Sequence, residues 1–315
     1  MEVKLIAHIT AAIREATRQS FQLANPSRPP LIRGGASPPD KGGGGVEPLG
    51  GGCINQTYRI SGLDGRFYFV KLNTAERHAM FDAETAGLNA IAATNTIRIP
   101  RPIAHGVAAG QSYLVLEHLD LSSHGDAYLL GEQLAALHRC SAKQFGFMQD
   151  NFIGTTPQPN GWTDDWVTFW RERRLGFQLR LAAENGFGGQ LQSLGEKLSD
   201  ALPAFFDGYT PLPSLLHGDL WSGNHAFLSD GTPVIFDPAT YYGDRECDLA
   251  MTELFGGYSE NFYAAYRAAW PLDAGYATRR DLYNLYHILN HANLFGGGYI
   301  RQAEQMMQRL LAEAG

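Results

Sequence analysis

The segment Leu215–Asn224 reads LLHGDLWSGN, and an apolar run, PVIFD, ends at Asp237. Phosphoryl transfer needs a carboxylate beside the attacking hydroxyl and oxygen ligands for Mg²⁺ close to the transferred phosphate. A His-x-Asp-x-x-x-x-Asn spacing supplies both from one loop. Asp219 would orient the substrate hydroxyl and accept its proton, and Asn224 would reach a metal. Asp237, borne by a strand, would hold that metal between the phosphates. Taken singly, loop Asp and Asn residues more often cap turns. The full spacing followed by a strand-borne Asp points instead to a kinase. His217 lies two residues before Asp219, an offset that suits a backbone contact within the loop better than proton transfer.

Upstream residues fit the same chemistry. Lys71 ends the strand FVKL, where its ammonium would reach the α- and β-phosphates of ATP. Glu84, in the next helix, would hold that lysine by an ion pair. The ordinary alternatives are an edge-strand lysine and a glutamate on a solvated helix face. The turn Gly50-Gly51-Gly52-Cys53-Ile54-Asn55 would lay the backbone N–H groups around Gly51, Gly52 and Cys53 over the phosphates, although it lacks a G-x-G-x-x-G pattern. The strand SYLVLEHL, ending at Glu117, His118 and Leu119, would offer backbone groups to adenine, or is an ordinary core strand. Trp221 would lie against a sugar or amine substituent, with core packing as the alternative. Asp248 either braces the catalytic loop through backbone hydrogen bonds or caps an exposed helix, and Arg245 and Glu246 read as structural ion-pair members. Trp166, Phe169, Trp170 and Arg173 read as core plus surface. His287 and His291 stand four apart without a third ligand or an H-E-x-x-H pattern, so no zinc is expected there.

These residues need a scaffold of two parts. The chain has 315 residues, 44% of them hydrophobic, enough for two lobes around shared chemistry. The N-terminus reads as an amphipathic helix with Leu5, Ile6, Ile9, Ala12 and Ile13 at helical spacing, unlike a signal peptide. A Pro- and Gly-rich insert, 25–45, follows and reads as a linker, with a partner-binding peptide as the alternative. Then come a strand, the Gly-rich turn, a second strand and the alternating segment RFYFVKL across a Leu63-Asp64-Gly65 turn, a three-stranded meander. A helix is expected over 75–93 and strands over 102–107 and 112–117. From Gly125 onward the pattern is helical except for the island Leu215–Pro238. The expected fold class is α+β, with a small antiparallel β N-lobe (1–119) and a mostly helical C-lobe (120–315). A net charge of −7 leaves no broad basic face for nucleic acid, and no apolar run reaches membrane-spanning length. The three cysteines, Cys53, Cys140 and Cys247, form neither a metal spacing nor a disulfide framework, which favours a reducing, cytoplasmic setting.

Several stretches resemble the fructosamine kinase (ketosamine-3-kinase) family, relatives of the aminoglycoside and choline kinases: GGGCIN, FVKLN with Glu84 downstream, GTTPQPNGWTDDWVTFWRERRL, LLHGDLWSGN, FDPATYYGDRECDLAMTELFGG and LYNLYHILNHANLFGGGY. The resemblance runs from about Gly50 to the C-terminus and includes the first helix. It implies a two-lobed protein-kinase-like fold and ATP- and Mg²⁺-dependent phosphorylation of the sugar 3-hydroxyl of ketosamines. The product is unstable and returns the free amine, so the resemblance implies deglycation of amino acids or proteins. It also implies that Cys53 can form an intersubunit disulfide, giving a monomer or a redox-linked homodimer; the ordinary alternative is a small side chain tolerated in a tight turn. Trp221 stands where a protein kinase usually carries lysine, and Asp237 is followed by Pro238-Ala239 rather than Phe-Gly, so a peptide-directed kinase is disfavoured. The insert 25–45 departs from the family pattern. A kinase for another hydroxylated amine, or a nucleotide-binding module without turnover, are the other readings.

Overall fold

The computed structural model describes residues 1–24, 45–50 and 54–315. The segment 25–44 and Gly51, Gly52 and Cys53 lie outside the described residues, and with them the expectations for the insert, the phosphate-covering turn and the Cys53 thiol. The chain forms two compact units, Met1–Asn89 with Pro100–Asp120, and Ala90–Ile99 with Leu121–Gly315.

The first unit opens with α1 (Val3–Thr17) and continues through β1 (Val46–Leu49), β2 (Gln56–Ser61), β3 (Phe67–Thr74), α2 (His78–Thr94), β4 (Pro102–Ala108) and β5 (Gln111–Glu117). The strands form one antiparallel sheet in the order β1-β2-β3-β5-β4. Leu5, Ile9 and Ile13 recur every four residues on one stripe of α1 and pack with Ile60, Tyr68, Val70, Leu72, Tyr113 and Val115. Each fully buried aliphatic side chain of this kind contributes about 1.5–3 kcal/mol. Alternation along β3 then decides where Lys71 points. Val70 and Leu72 face α1, so Lys71 faces the opposite side, where α2 supplies its partner. The β2–β3 turn uses Gly65 at φ 81°, while the Asp64 carboxylate accepts the Arg66 N–H at 3.0 Å. The helix expected over 75–93 begins with a single 3₁₀ turn, Ala75–Arg77, before α2.

The second unit contains α3 (Ala127–His138), β6 (Asn151–Ile153), β7 (Thr156–Gln158), α4 (Trp166–Phe169), a π-helical stretch Trp170–Leu175, α5 (Gly176–Glu184), α6 (Gln190–Ala201), β8 (Ser214–Leu216), β9 (His225–Phe227), β10 (Pro233–Ile235), β11 (Tyr241–Gly243), α7 (Glu246–Leu254), α8 (Glu260–Ala269), α9 (Tyr276–Phe295) and α10 (Gly298–Glu313). α9 is buried on nearly every side from Leu282 to Ala292, which makes it the central helix of the unit. Two strand pairs correct the sequence expectation of helix outside 215–238. β6 and β7 form a hairpin through Gly154-Thr155, with Gly154 at φ 64°, the two-residue turn that suits strand twist. β11 lies beyond the island because it pairs with β8, fixing Tyr241 opposite Leu216. Among the described residues no helix is long and apolar enough to cross a membrane.

Candidate active site

Two short strand pairs hold the loop 217–224 of the second unit. β8 leads into residues 217–224, β9 pairs with β10, and β10 delivers Asp237 before β11 returns beside β8. The loop turns at Gly218, at φ 84°, and a Cβ there would lie 2.1 Å from the Ala239 carbonyl oxygen, so no other residue fits. The Ala239 N–H donates to the His217 carbonyl at 2.8 Å and ties the Asp237 segment to the loop. His217 Nε2 donates to the Phe236 carbonyl at 2.9 Å, which leaves Nδ1 to accept the Asp219 N–H at 3.2 Å. Burial lowers the His217 pKa, so the ring is neutral and acts as a spacer.

Asp219 and Asn224 meet directly. The Asn224 amide nitrogen donates to the Asp219 carbonyl at 2.8 Å and to its carboxylate at 3.2 Å, leaving the Asn224 side-chain oxygen as a donor for a cation. Burial, with repulsion from the Asp237 carboxylate second, pushes the Asp219 pKa up to about 7. Asp237 itself sits at φ 58°, a left-handed conformation uncommon outside glycine and characteristic of strained functional positions. The Asp237 carboxylate and the Asn224 amide oxygen are oxygen donors of the kind Mg²⁺ takes, and a divalent cation there would relieve the repulsion that raises Asp219.

Asp248, in the first turn of α7, braces this loop from beneath. Its two oxygens accept the His217 N–H at 2.7 Å and the Gly218 N–H at 2.8 Å, and His138 Nε2 lies 3.1 Å away. Burial works to raise its pKa, but His138 and the backbone donors outweigh it and hold the carboxyl below the usual Asp value. Asp248→Asn offers one acceptor oxygen where the carboxylate offers two, so one buried backbone N–H must face an amide NH₂. That mismatch is expected to cost about 1–3 kcal/mol and to lower the melting temperature by roughly 3–8 °C. Unchanged thermal unfolding would show that the brace is not structural.

A second brace escaped the sequence reading. Asn151 Nδ2 donates to the Thr240 carbonyl at 2.7 Å and Gln158 Nε2 to the Ala239 carbonyl at 3.1 Å, so the β6–β7 hairpin pins the chain just after Asp237. Arg174, fully buried, lies 4.0 Å over the Tyr241 ring and 4.6 Å over Phe169, and its guanidinium donates to Asn160 Oδ1 at 2.8 Å. The run PQPNGW was the available signal, but its side chains gave no hint of a backbone target. Arg245 donates to the carbonyls of Trp270 and Pro271 rather than joining an ion pair with Glu246, whose partner is Arg279 at 2.7 Å.

In the first unit Lys71 Nζ lies 2.7 Å from Glu84 Oε1, and the lysine is 4% exposed. Asn73 Nδ2 donates to Asn55 Oδ1 at 2.7 Å, anchoring the described end of the Gly-rich turn to β3. Glu117 closes β5, its N–H donating to the Arg101 carbonyl at 2.9 Å, and His118 and Leu119 follow beyond the strand. Trp221 is 38% exposed, and Tyr258 Oη donates to its carbonyl at 3.1 Å.

The fructosamine kinase family description matches residues 44–313. A probable ketoamine kinase from Synechocystis is 54% identical over 84% of this chain and 89% of its own length. The chloroplastic protein-ribulosamine 3-kinase of Arabidopsis thaliana is 44% identical over 84% and 82%. The crystal structure of a candidate fructosamine-3-kinase from Haemophilus somnus superposes with a TM-score of 0.81 at 28% identity, covering 96% of each chain. A choline kinase from Streptococcus pneumoniae, 15% identical with a TM-score of 0.59 over 85% of this chain and 93% of its own, shares the fold alone. That fold is the protein-kinase-like α+β architecture that the family resemblance implied. With 270 consecutive positions matched by one family description, the chain belongs to the fructosamine kinase family.

Proposed function

We propose that this chain is an ATP- and Mg²⁺-dependent kinase that phosphorylates the sugar 3-hydroxyl of ketosamines and so promotes deglycation of amines or proteins in the cytoplasm. The observation that carries this reading is Asp219: a loop carboxylate titrating near 7, bonded to Asn224, in a chain of this family. Asp219 accepts the proton of the attacking hydroxyl, and a pKa close to the working pH suits a general base. Asn224 and Asp237 hold Mg²⁺, which when bound neutralises charge on the phosphates and on the departing ADP. Lys71, oriented by Glu84, binds the α- and β-phosphates. The backbone at Glu117, His118 and Leu119 serves the adenine. The half-exposed indole of Trp221 offers an aromatic face to the sugar or its amine substituent. The presence of all five residues, Lys71, Glu84, Asp219, Asn224 and Asp237, favours turnover over mere nucleotide binding.

The substrate class is tested with a coupled ADP-release assay against fructosamines, ribulosamines, aminoglycosides and choline, with the phosphate position read by phosphorus NMR. Turnover of ketosamines at the 3-hydroxyl is expected. Phosphorylation of choline or an aminoglycoside with ketosamines untouched would move the assignment to another hydroxylated amine. ATP binding without turnover of any member of the panel would leave only a regulatory module.

A further inference from the structure

Three side chains of metal-ligating type converge within the first unit. His78 and Asp82 stand four residues apart at the start of α2, and His105 reaches them from β4. His78 Nε2 lies 3.1 Å from Asp82 Oδ2, and His105 Nδ1 lies 2.8 Å from Asp82 Oδ1. One ligand atom from each falls within 4.8 Å of the others. The i, i+4 spacing on a helix places two ligands on one face, and a third from a neighbouring strand completes a three-point set.

We propose that His78, Asp82 and His105 form a binding site for one divalent transition ion of the zinc class, and that the ion clamps α2 to β4. Two imidazoles and one carboxylate suit zinc, whereas Mg²⁺ and Ca²⁺ take oxygen sets. Bonds of about 2.0–2.2 Å in a tetrahedral site separate donor atoms by roughly 3.3 Å, so small side-chain rotations open the present contacts to that spacing. Asp82 Oδ1 accepts no directed hydrogen bond although His105 Nδ1 is 2.8 Å away; the two groups are juxtaposed without being aligned for each other. The three side chains are 36–41% exposed, which gives an ion a way in and leaves the fourth position to water.

The sheet register gives the clamp a consequence. His105 lies opposite Leu114, and Leu114 lies opposite Lys71, so His105 and Lys71 share one cross-strand row. Their partners, Asp82 and Glu84, are two residues apart on α2. An ion holding Asp82 to His105 therefore fixes the same helix turn that presents Glu84 to Lys71. The irregularity in β4 between Pro102 and Ala104 sets the register that brings His105 into this row. This coupling rests on the kinase reading; ion binding does not.

The experiment uses the full chain, free of any affinity tag and stripped with chelator. Zn²⁺ is titrated by calorimetry at millimolar Mg²⁺, and bound metal is counted by elemental analysis. One Zn²⁺ per chain is expected, with His105→Gln and Asp82→Asn each weakening affinity at least about tenfold. Zn²⁺ is also expected to raise the melting temperature of wild type but not of His105→Gln, whose metal-free melting temperature matches wild type. Binding unchanged in both variants, displacement by Mg²⁺, or no stoichiometric binding would overturn the site. In the same samples, Zn²⁺ is expected to tighten binding of a non-hydrolysable ATP analogue to wild type and not to His105→Gln. Zinc binding with nucleotide affinity unmoved would overturn the coupling and leave the site standing.

Discussion

Asp219→Asn is expected to lower turnover by roughly two to four orders of magnitude, the usual consequence of losing a general base. The amide keeps the shape of the carboxyl and can still meet Asn224, so nucleotide binding is expected to stay close to wild type. The same change has an opposite effect on stability. Asp219 titrates near 7 in the folded chain against an ordinary value of 3.8. Between those values the native state holds the extra proton, so folding stability falls as pH rises through that window. Asp219→Asn removes this penalty. The variant is therefore expected to melt a few degrees above wild type at pH 8 and to lose the advantage as pH falls toward 4, with solvent at this partly exposed residue trimming the size of the effect. Turnover above about a tenth of wild type would show that Asp219 is not the base. A variant less stable than wild type at pH 8 would contradict the raised pKa.

What the sequence made legible here was what is local. LLHGDLWSGN places Asp219 and Asn224 five residues apart in one loop, and the structure joins them through a single amide. RFYFVKL alternates, so the face on which Lys71 lies follows from the burial of Val70 and Leu72. Glu84 falls one and a half turns into the next helix, near enough in sequence to be named as a partner. Contacts across long separations were not legible. His138 and Asp248 are 110 residues apart, and neither side chain announces the other. Arg174 looks like a surface arginine in a charged run, yet the π-helical stretch turns it inward between Phe169 and Tyr241. His78 and Asp82 share one face of α2 and β4 brings His105 beside them, a meeting that a pattern of period 3.6 cannot announce because it carries no information about which strand will lie across it.

Asp237→Asn is expected to all but abolish Mg²⁺-dependent turnover. Asparagine tolerates the left-handed conformation at φ 58° better than alanine, so it separates the loss of charge from backbone strain. A neutral oxygen is a poor substitute for a carboxylate on a hard cation, and the remaining ligand, Asn224, is neutral as well. The Mg²⁺ dependence should therefore move to far higher concentrations, with maximal turnover reduced by roughly two orders of magnitude or more. The electrostatic consequence is independent of metal. Repulsion from Asp237 is the second cause, after burial, of the raised Asp219 pKa. Removing that charge should bring the Asp219 carboxyl down from about 7, toward but not to the ordinary Asp value, because burial persists. Infrared or carbon NMR titration of the metal-free protein reads this shift directly, with Asp219→Asn identifying the signal. A normal Mg²⁺ titration in Asp237→Asn would remove Asp237 from the metal site. An Asp219 titration that does not move would show that the two carboxylates do not sense one another, and that burial alone raises Asp219.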